Sequence, residues 1–250
     1  QSAAKATDRA TDMRMAHNTY YGYIGMAQSA DTGEKVGMNK QMGSTASVTE
    51  ASSSYILKEY VLRNPAILRL DKVDPAEINS RQLTKIFING DWIGLCEDSE
   101  QLVRYYRTAR RYGHINPFTT IVWELLVREV YFWVDVGRLV RPLVIVYNNN
   151  DEFVAAAKRG RKIEFKQWIT LTKKHIRELQ SGKITMDNLR DQRVIEYISP
   201  EESENMLIAR SLTVLRESVN DFTKQYTHMG IEQDVFGIVE LSAPNTNHTP

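Results

Sequence analysis

The stretch that most constrains this chain is Ile86-Phe87-Ile88-Asn89-Gly90-Asp91-Trp92-Ile93. β-Prone residues flank an Asn-Gly pair, which readily takes the positive φ angles of a two-residue type I′ turn, so the stretch predicts a β-hairpin. A helix with readable ends follows. Asp98 or Ser99 is the N-cap, Glu100 stands in the first turn, and Gly113 lies just past the C-terminus. Leu102, Tyr106 and Ala109 share one face of that helix, while Arg104, Arg107 and Arg111 form a basic stripe that reads as a solvent-facing surface.

Elsewhere the pattern is mixed. Arg14 to Thr45 is glycine-rich without a helical period, which predicts irregular backbone or short strands. Glu50 to Leu62 reads as a helix with Ile56, Leu57, Tyr60 and Val61 on one face, ended by Asn64-Pro65. Thr119 to Asp135 predicts two strands, with a helical reading of Glu124 to Glu129 left open. Asp135-Val136-Gly137-Arg138 predicts a turn, Leu143 to Tyr147 a strand, and Asn148 to Asn150 a loop. Glu164 to Ser181 predicts an amphipathic helix, because Phe165, Trp168, Ile169, Thr172, Ile176 and Leu179 keep its spacing and Gly182 follows. Val194 to Ile198 reads as a strand, Ser199-Pro200-Glu201-Glu202 as a helical turn, and Met206 to Ala209 as a strand. Leu212 to Phe222 reads as a helix and Val235 to Leu241 as a last strand. Short strands and helices without regular βαβ alternation predict an α+β fold.

Lys and Arg number 32 against 31 Asp and Glu, a net charge of +1, so any nucleic-acid contact must come from local clusters. Cys96 is alone, which excludes an intramolecular disulfide and a cysteine-rich zinc site, and reads as a small buried apolar residue. No apolar run approaches the roughly 20 residues that span a bilayer and no signal peptide opens the chain, so the expectation is a soluble, intracellular protein. The polar start at Gln1 and the turn-like Asn245 to Pro250 read as cut ends.

Catalytic grammars are absent: there is no phosphate-binding glycine loop, nucleophile elbow or His-Glu-x-x-His helix. His17, His114, His175, His228 and His248 share no metal-ligand spacing, and each reads as a surface or hydrogen-bonded residue. Glu201, Glu202 and Glu204 could hold Mg²⁺, but a solvated acidic turn behind Pro200 is the favoured reading. The arginines at 104, 107, 110 and 111, and the loop Lys158-Arg159-Gly160-Arg161-Lys162, fit either binding of phosphates or an acidic partner or a plain solvated surface, and for the arginines the surface is the favoured reading. Neither cluster is interleaved with aromatics.

An ordered series of short motifs adds a resemblance. Lys85 to Gly94 carries the hairpin. In order come Leu102, Arg110-Arg111 with Gly113 and Ile115-Asn116-Pro117, Ile121-Val122, Glu129, Asp135 with Gly137-Arg138, and Arg141-Pro142-Leu143 with Ile145-Val146. Flanking these stand Arg14, His17-Asn18-Thr19 and Tyr21-Gly22 on one side. On the other are Glu196-Tyr197-Ile198 with its acidic run, Met206 with Ile208-Ala209, Tyr226-Thr227-His228 and Asn247 to Pro250. The series resembles the second-largest subunit of multisubunit DNA-directed RNA polymerases. Between Gly25 and Lys40 the chain departs from that family. Gln28 replaces an acid, Ala30 a proline, one residue is added, and Asp31 and Lys40 stand in for a second acid and a lysine. Such drift is what a remote branch, such as a large DNA virus or a mobile element, would show.

The resemblance implies a scaffold and DNA-cleft wall, inactive alone, within a nucleotidyltransferase. Residues 1–62 would be a fork-like segment beside the DNA, 63–84 with 147–241 one external domain, 85–146 a second, and 242–250 a linker. Arg14, His17, Asn18 and Lys40 would be the residues nearest nucleic acid, against a loop-stabilising hydrogen-bond network as the other role for Arg14 and His17. No catalytic residue and no metal or cofactor is expected in this chain; the catalytic Mg²⁺ would sit in the largest subunit. The implied partners are that subunit, the other polymerase subunits, template DNA and the RNA transcript, without a membrane. The implied location is the nucleus, or the cytoplasm or virion for a viral or mobile-element protein. The alternative is a free-standing or split-subunit interaction module without activity.

Overall fold

A computed structural model describes residues 11–25, 36–80 and 82–231. In chain order its strands are β1 (Ser47–Val48), β2 (Ile67–Arg69), β3 (Thr84–Ile88), β4 (Asp91–Cys96), β5 (Thr120–Glu124), β6 (Glu129–Trp133), β7 (Leu139–Asn148), β8 (Gln167–Ile169), β9 (Ile195–Ile198), β10 (Ile208–Ala209) and β11 (His228–Met229). Its helices are α1 (Ser54–Leu62), α2 (Pro75–Ser80), α3 (Ser99–Arg111), α4 (Asn150–Lys158), α5 (Lys173–Gln180), α6 (Met186–Asp191), α7 (Pro200–Ser203) and α8 (Leu212–Glu217). The fold is α+β.

One sheet runs β2-β4-β3-β6-β5. Its β3–β4 hairpin turns at Asn89 and Gly90, whose φ angles of 48° and 89° are those of a type I′ turn. Asn89 also accepts from Val134 N at 2.9 Å through its side-chain oxygen, which ties the turn to the far end of β6. β3 pairs with β6 in parallel and the other neighbours are antiparallel. α3 covers this sheet. Asp98 caps it by accepting from Gln101 N at 2.9 Å, and Leu102, Val103, Tyr106 and Ala109 are buried. Tyr106 meets Phe132 edge-to-face at 5.2 Å, with Leu57 and Val61 of α1 completing the core.

The second sheet is organised on β7, ten residues long and buried through most of its length. β1, β9, β11 and β8 all pair antiparallel with it, and β10 pairs in parallel with β11. Its core joins Val144, Ile195, Leu189, Leu215 and Met229. Residues of β2 thus join the hairpin's sheet, while β7 is the spine of the other.

Several expectations need correction. The predicted helix over Glu164 to Ser181 is a strand followed by a helix: Gln167–Ile169 pair with β7, and α5 begins only at Lys173. Thr172 is not an interior helical residue but an N-cap, accepting from His175 N while the His175 ring accepts from Thr172 N. Asn148 to Asn150 is not wholly loop, because Asn150 opens α4. α1 is shorter than predicted and leaves Ile56 70% exposed. Leu212 to Phe222 is helical only to Glu217, and Met206 to Ala209 is strand only at its last two residues. Between β5 and β6 the chain turns instead of forming a helix, with Leu125, Leu126 and Val127 exposed. Val235 to Leu241 and 242–250 lie outside the described residues, as do 26–35.

Candidate functional site

The four residues assigned to nucleic acid come together around one exposed loop pair. His17 Nδ1 accepts from Thr19 N at 3.3 Å and lies 2.8 Å from its hydroxyl, capping the 3-10 turn Asn18–Tyr20. Arg14 Nη1 donates to Val36 O at 2.8 Å, and Lys40 Nζ donates to Gly37 O at 2.9 Å and Met13 O at 3.4 Å. The Lys40 ammonium also sits 5.9 Å from the centre of the Tyr20 ring. Asn18 is exposed on the same turn. The Arg14 and Lys40 bonds fasten 13–20 to 36–40, while His17 holds its own turn, so each of Arg14 and His17 makes loop-stabilising hydrogen bonds.

The loop is in turn anchored to β7. The Arg141 guanidinium lies 5.6 Å from the Tyr21 ring centre and 5.1 Å from that of Tyr23. Gly22, at φ 79°, passes between them, and a Cβ there would fall 2.1 Å from Arg141 Nη1. The Tyr23 hydroxyl donates to Ile198 O at 3.0 Å, and burial pushes its phenol up to about 12.

The arginine stripe of α3 is not solvent-facing, which corrects the sequence reading. Only Arg104 is well exposed, pairing with Glu100 and Asp151. Arg110 is buried and donates to Glu202 through Nη1 and Nη2, both at 2.7 Å, and to Glu196 through Nε at 2.8 Å. Arg111 donates to Glu196 at 2.8 Å, and Arg107 Nε stands 3.2 Å from Glu202 without hydrogen-bond alignment. The His228 ring, fully buried, completes the cluster at 3.1 Å from Glu196. The solvated acidic turn behind Pro200 holds at Glu201 and Glu204, which are exposed, and is corrected at Glu202, which is fully buried.

Burial alone would raise the Glu196 carboxyl, but Arg110 and Arg111 outweigh it and hold the group well below the usual carboxylate range. Burial lowers the Arg107 guanidinium; at Arg110 the same penalty is overcome by Glu196 and Glu202, and the result is upward. Burial depresses His228 against the pull of Glu196, so the ring is held neutral near pH 7. Two side chains of the 202–205 turn also cover the edge of β5. Glu202 accepts from Ile121 N at 3.2 Å, while Asn205 accepts from Trp123 N at 2.8 Å and donates to Trp123 O at 2.9 Å. The cluster therefore binds the sheet carrying the hairpin to the sheet built on β7. It is a structural joint, and its carboxylates are committed to arginines.

Among the described residues, no three His, Cys, Asp or Glu side chains are placed to hold a metal ion. Cys96 is buried and its thiol is pushed up to about 12 by burial, so it is no nucleophile at neutral pH.

The pieces that meet here are far apart in sequence: Arg110-Arg111, Glu196, Glu202 and His228. Family models match two stretches of the chain, of which one holds Arg110 and Arg111. RNA polymerase Rpb2 domain 4 matches residues 86–147, and RNA polymerase Rpb2 domain 3 matches residues 1–48. Among curated proteins, the DNA-directed RNA polymerase II subunit RPB2 of Encephalitozoon cuniculi is 28% identical over 94% of this chain and 19% of its own length. The chain belongs to the family of second-largest RNA polymerase subunits. Subunit 2 of Arabidopsis thaliana RNA polymerase II is 27% identical over 94% of the chain and 19% of its own length. The Schizosaccharomyces pombe subunit RPB2 is 30% identical over 79% of the chain and 16% of its own length. This member thus spans less than a fifth of the relatives it matches. No helix among its described residues is long and apolar enough to cross a membrane.

Proposed function

We propose that this chain serves DNA-templated transcription as scaffold and DNA-cleft wall of a second-largest polymerase subunit. The observation that carries the reading is similarity to RNA polymerase II second subunits along 94% of the chain. Relatives that are polymerase subunits disfavour a free-standing module. In this reading residues 1–62 are the fork-like segment, 85–146 an outer lobe whose sheet takes in β2, and 63–84 with 147–241 the lobe that carries it, whose sheet is built on β7. The loop bearing Arg14, His17, Asn18 and Lys40 faces nucleic acid, where guanidinium and ammonium groups neutralise phosphates. Catalytic Mg²⁺, which activates and positions the reacting phosphates, belongs to the largest subunit. The partners are that subunit, the other subunits, template DNA and transcript, and the location is the nucleus.

Two experiments test this. Affinity purification of the chain should bring down a largest polymerase subunit, and repeated recovery without one would overturn the assignment. In the assembled enzyme, Arg14→Ala should weaken DNA engagement or elongation more than Arg104→Ala; equal effects would remove Arg14 from the cleft. Arg104 is the proper control because it is exposed, whereas Arg107 belongs to the buried joint.

A further inference from the structure

A cavity of about 380 Å³ opens beside the buried joint, where the C-terminal end of α3 faces the turn after α6. Four arginines (110, 111, 190 and 193) and two acids (Asp191 and Glu196) line it, with Tyr112 and Tyr197 as aromatic walls. Both acids are already engaged: Glu196 by Arg110 and Arg111, Asp191 by Arg190 at 3.0 Å. Arg193 makes no ion pair with a carboxylate among the described residues. Its guanidinium instead lies 4.2 Å from the Tyr112 ring centre, and Tyr112 in turn stacks near-parallel on His114 at 6.2 Å.

The backbone of Arg193 makes this arrangement informative. It follows the C-cap of α6 in the left-handed region, at φ 59°, the position where glycine is the ordinary choice. The peptide is pinned on both sides. Arg193 N donates to Arg190 O at 2.8 Å and Val194 N to Leu189 O at 2.9 Å, while Arg193 O accepts from the Tyr147 hydroxyl at 2.9 Å. Glycine would satisfy every one of those bonds without strain. An arginine is carried there at a conformational cost, with its charge directed onto an exposed aromatic ring at a cavity mouth. A strained residue with no role in holding the backbone points to a ligand.

We propose that this cavity binds a nucleotide unit, its base stacking on Tyr112 and its phosphate held by Arg193 and Arg111. A phosphate alone would need only the guanidinium groups, which present planar forks to it. The Tyr112 ring is what selects for a base, because stacking on tyrosine accepts any base face. The unit is supplied by single-stranded RNA or by a free nucleotide. The site is separate from the Arg14 loop and goes beyond the cleft-wall reading.

The test is fluorescence anisotropy of a labelled, 5′-phosphorylated RNA octamer with the full chain, with AMP and a base-free phosphoserine peptide as competitors. Arg193→Gly and Tyr112→Leu should each weaken binding about tenfold or more, and Arg104→Ala less than about twofold. Arg193→Gly should at the same time leave the melting temperature unchanged or raised, which a packing role would not allow. Displacement by AMP assigns the site to free nucleotides as well, and its failure assigns it to the strand; both support the site. Unchanged RNA binding by Arg193→Gly, a lowered melting temperature in that variant, displacement by the phosphopeptide, or no binding of RNA or AMP by the native chain would each overturn it.

Discussion

Replacing Glu202 by glutamine keeps the shape of a fully buried side chain and removes its charge. In the native joint three arginines face two glutamates, with His228 neutral; the substitution leaves three cations and one anion in the same buried volume. The amide also turns a donor toward Arg110 Nη1 or Nη2, each of which now donates to a carboxylate oxygen at 2.7 Å, and Ile121 N loses a charged acceptor. Breaking a buried pair in this way costs about 3–5 kcal/mol. At about 2–4 °C per kcal/mol for a chain of this size, the melting temperature should fall by roughly 6–20 °C. Thermal unfolding followed by circular dichroism measures it, with Glu100→Gln as the comparison. Glu100 pairs with Arg104 where both side chains are 60% or more exposed, so its loss should cost no more than about 0.5 kcal/mol. Arg110→Met combined with Glu202→Met should be less destabilised than the sum of the two singles, because neither leaves the other's charge behind. A Glu202→Gln protein within about 1 kcal/mol of wild type would refute the claim that the joint is dry and held by charge.

The joint should also make stability pH-dependent. Glu196 titrates lower folded than unfolded, so its contribution is whole above its ordinary value of 4.5 and is lost as pH falls through the depressed folded value. His228 is likewise depressed, so stability should begin to fall as pH drops below its ordinary value of 6.5, and His228→Gln should flatten urea midpoints between pH 7.5 and 5. Gly90→Ala meets no atom within 4 Å, so only backbone strain remains, and it should cost about 1–2 kcal/mol in chemical denaturation. Gly22→Ala drives a methyl into the Arg141 guanidinium and should raise proteolysis rates in 11–25 before the sheets melt; uniform loss of stability would argue against a local anchor.

The hairpin and the α3 caps were legible because their causes are local: Asn89-Gly90 carries its own turn, and Asp98 bonds three residues ahead. The joint was not legible as a joint. Arg110 meets Glu196 and Glu202 across 86 and 92 residues, so helical spacing could place the arginines on a face without saying what that face meets. The family motifs did name Arg110-Arg111, Glu196 and His228 as separate pieces, a signal of importance without contact. Glu164 to Ser181 misled because Phe165, Trp168 and Ile169 satisfy a helical period by coincidence, while pairing with β7 decides the outcome. Thr172 was the available clue, since threonine with a side-chain acceptor three residues on favours a helix start. Arg193 was invisible, because nothing in a sequence marks a left-handed arginine.

Covering β5 with Glu202 and Asn205, in place of a neighbouring strand, has a bearing on how the molecule fails. Those side chains arrive from the other lobe, so parting the lobes uncovers the Ile121 and Trp123 amides close to the apolar tip at Leu125 to Val127, which is exposed already. A naked β margin beside greasy residues is a template for pairing between copies. Half-assembled molecules of this kind should precipitate early, which would favour making both lobes together and docking them before release.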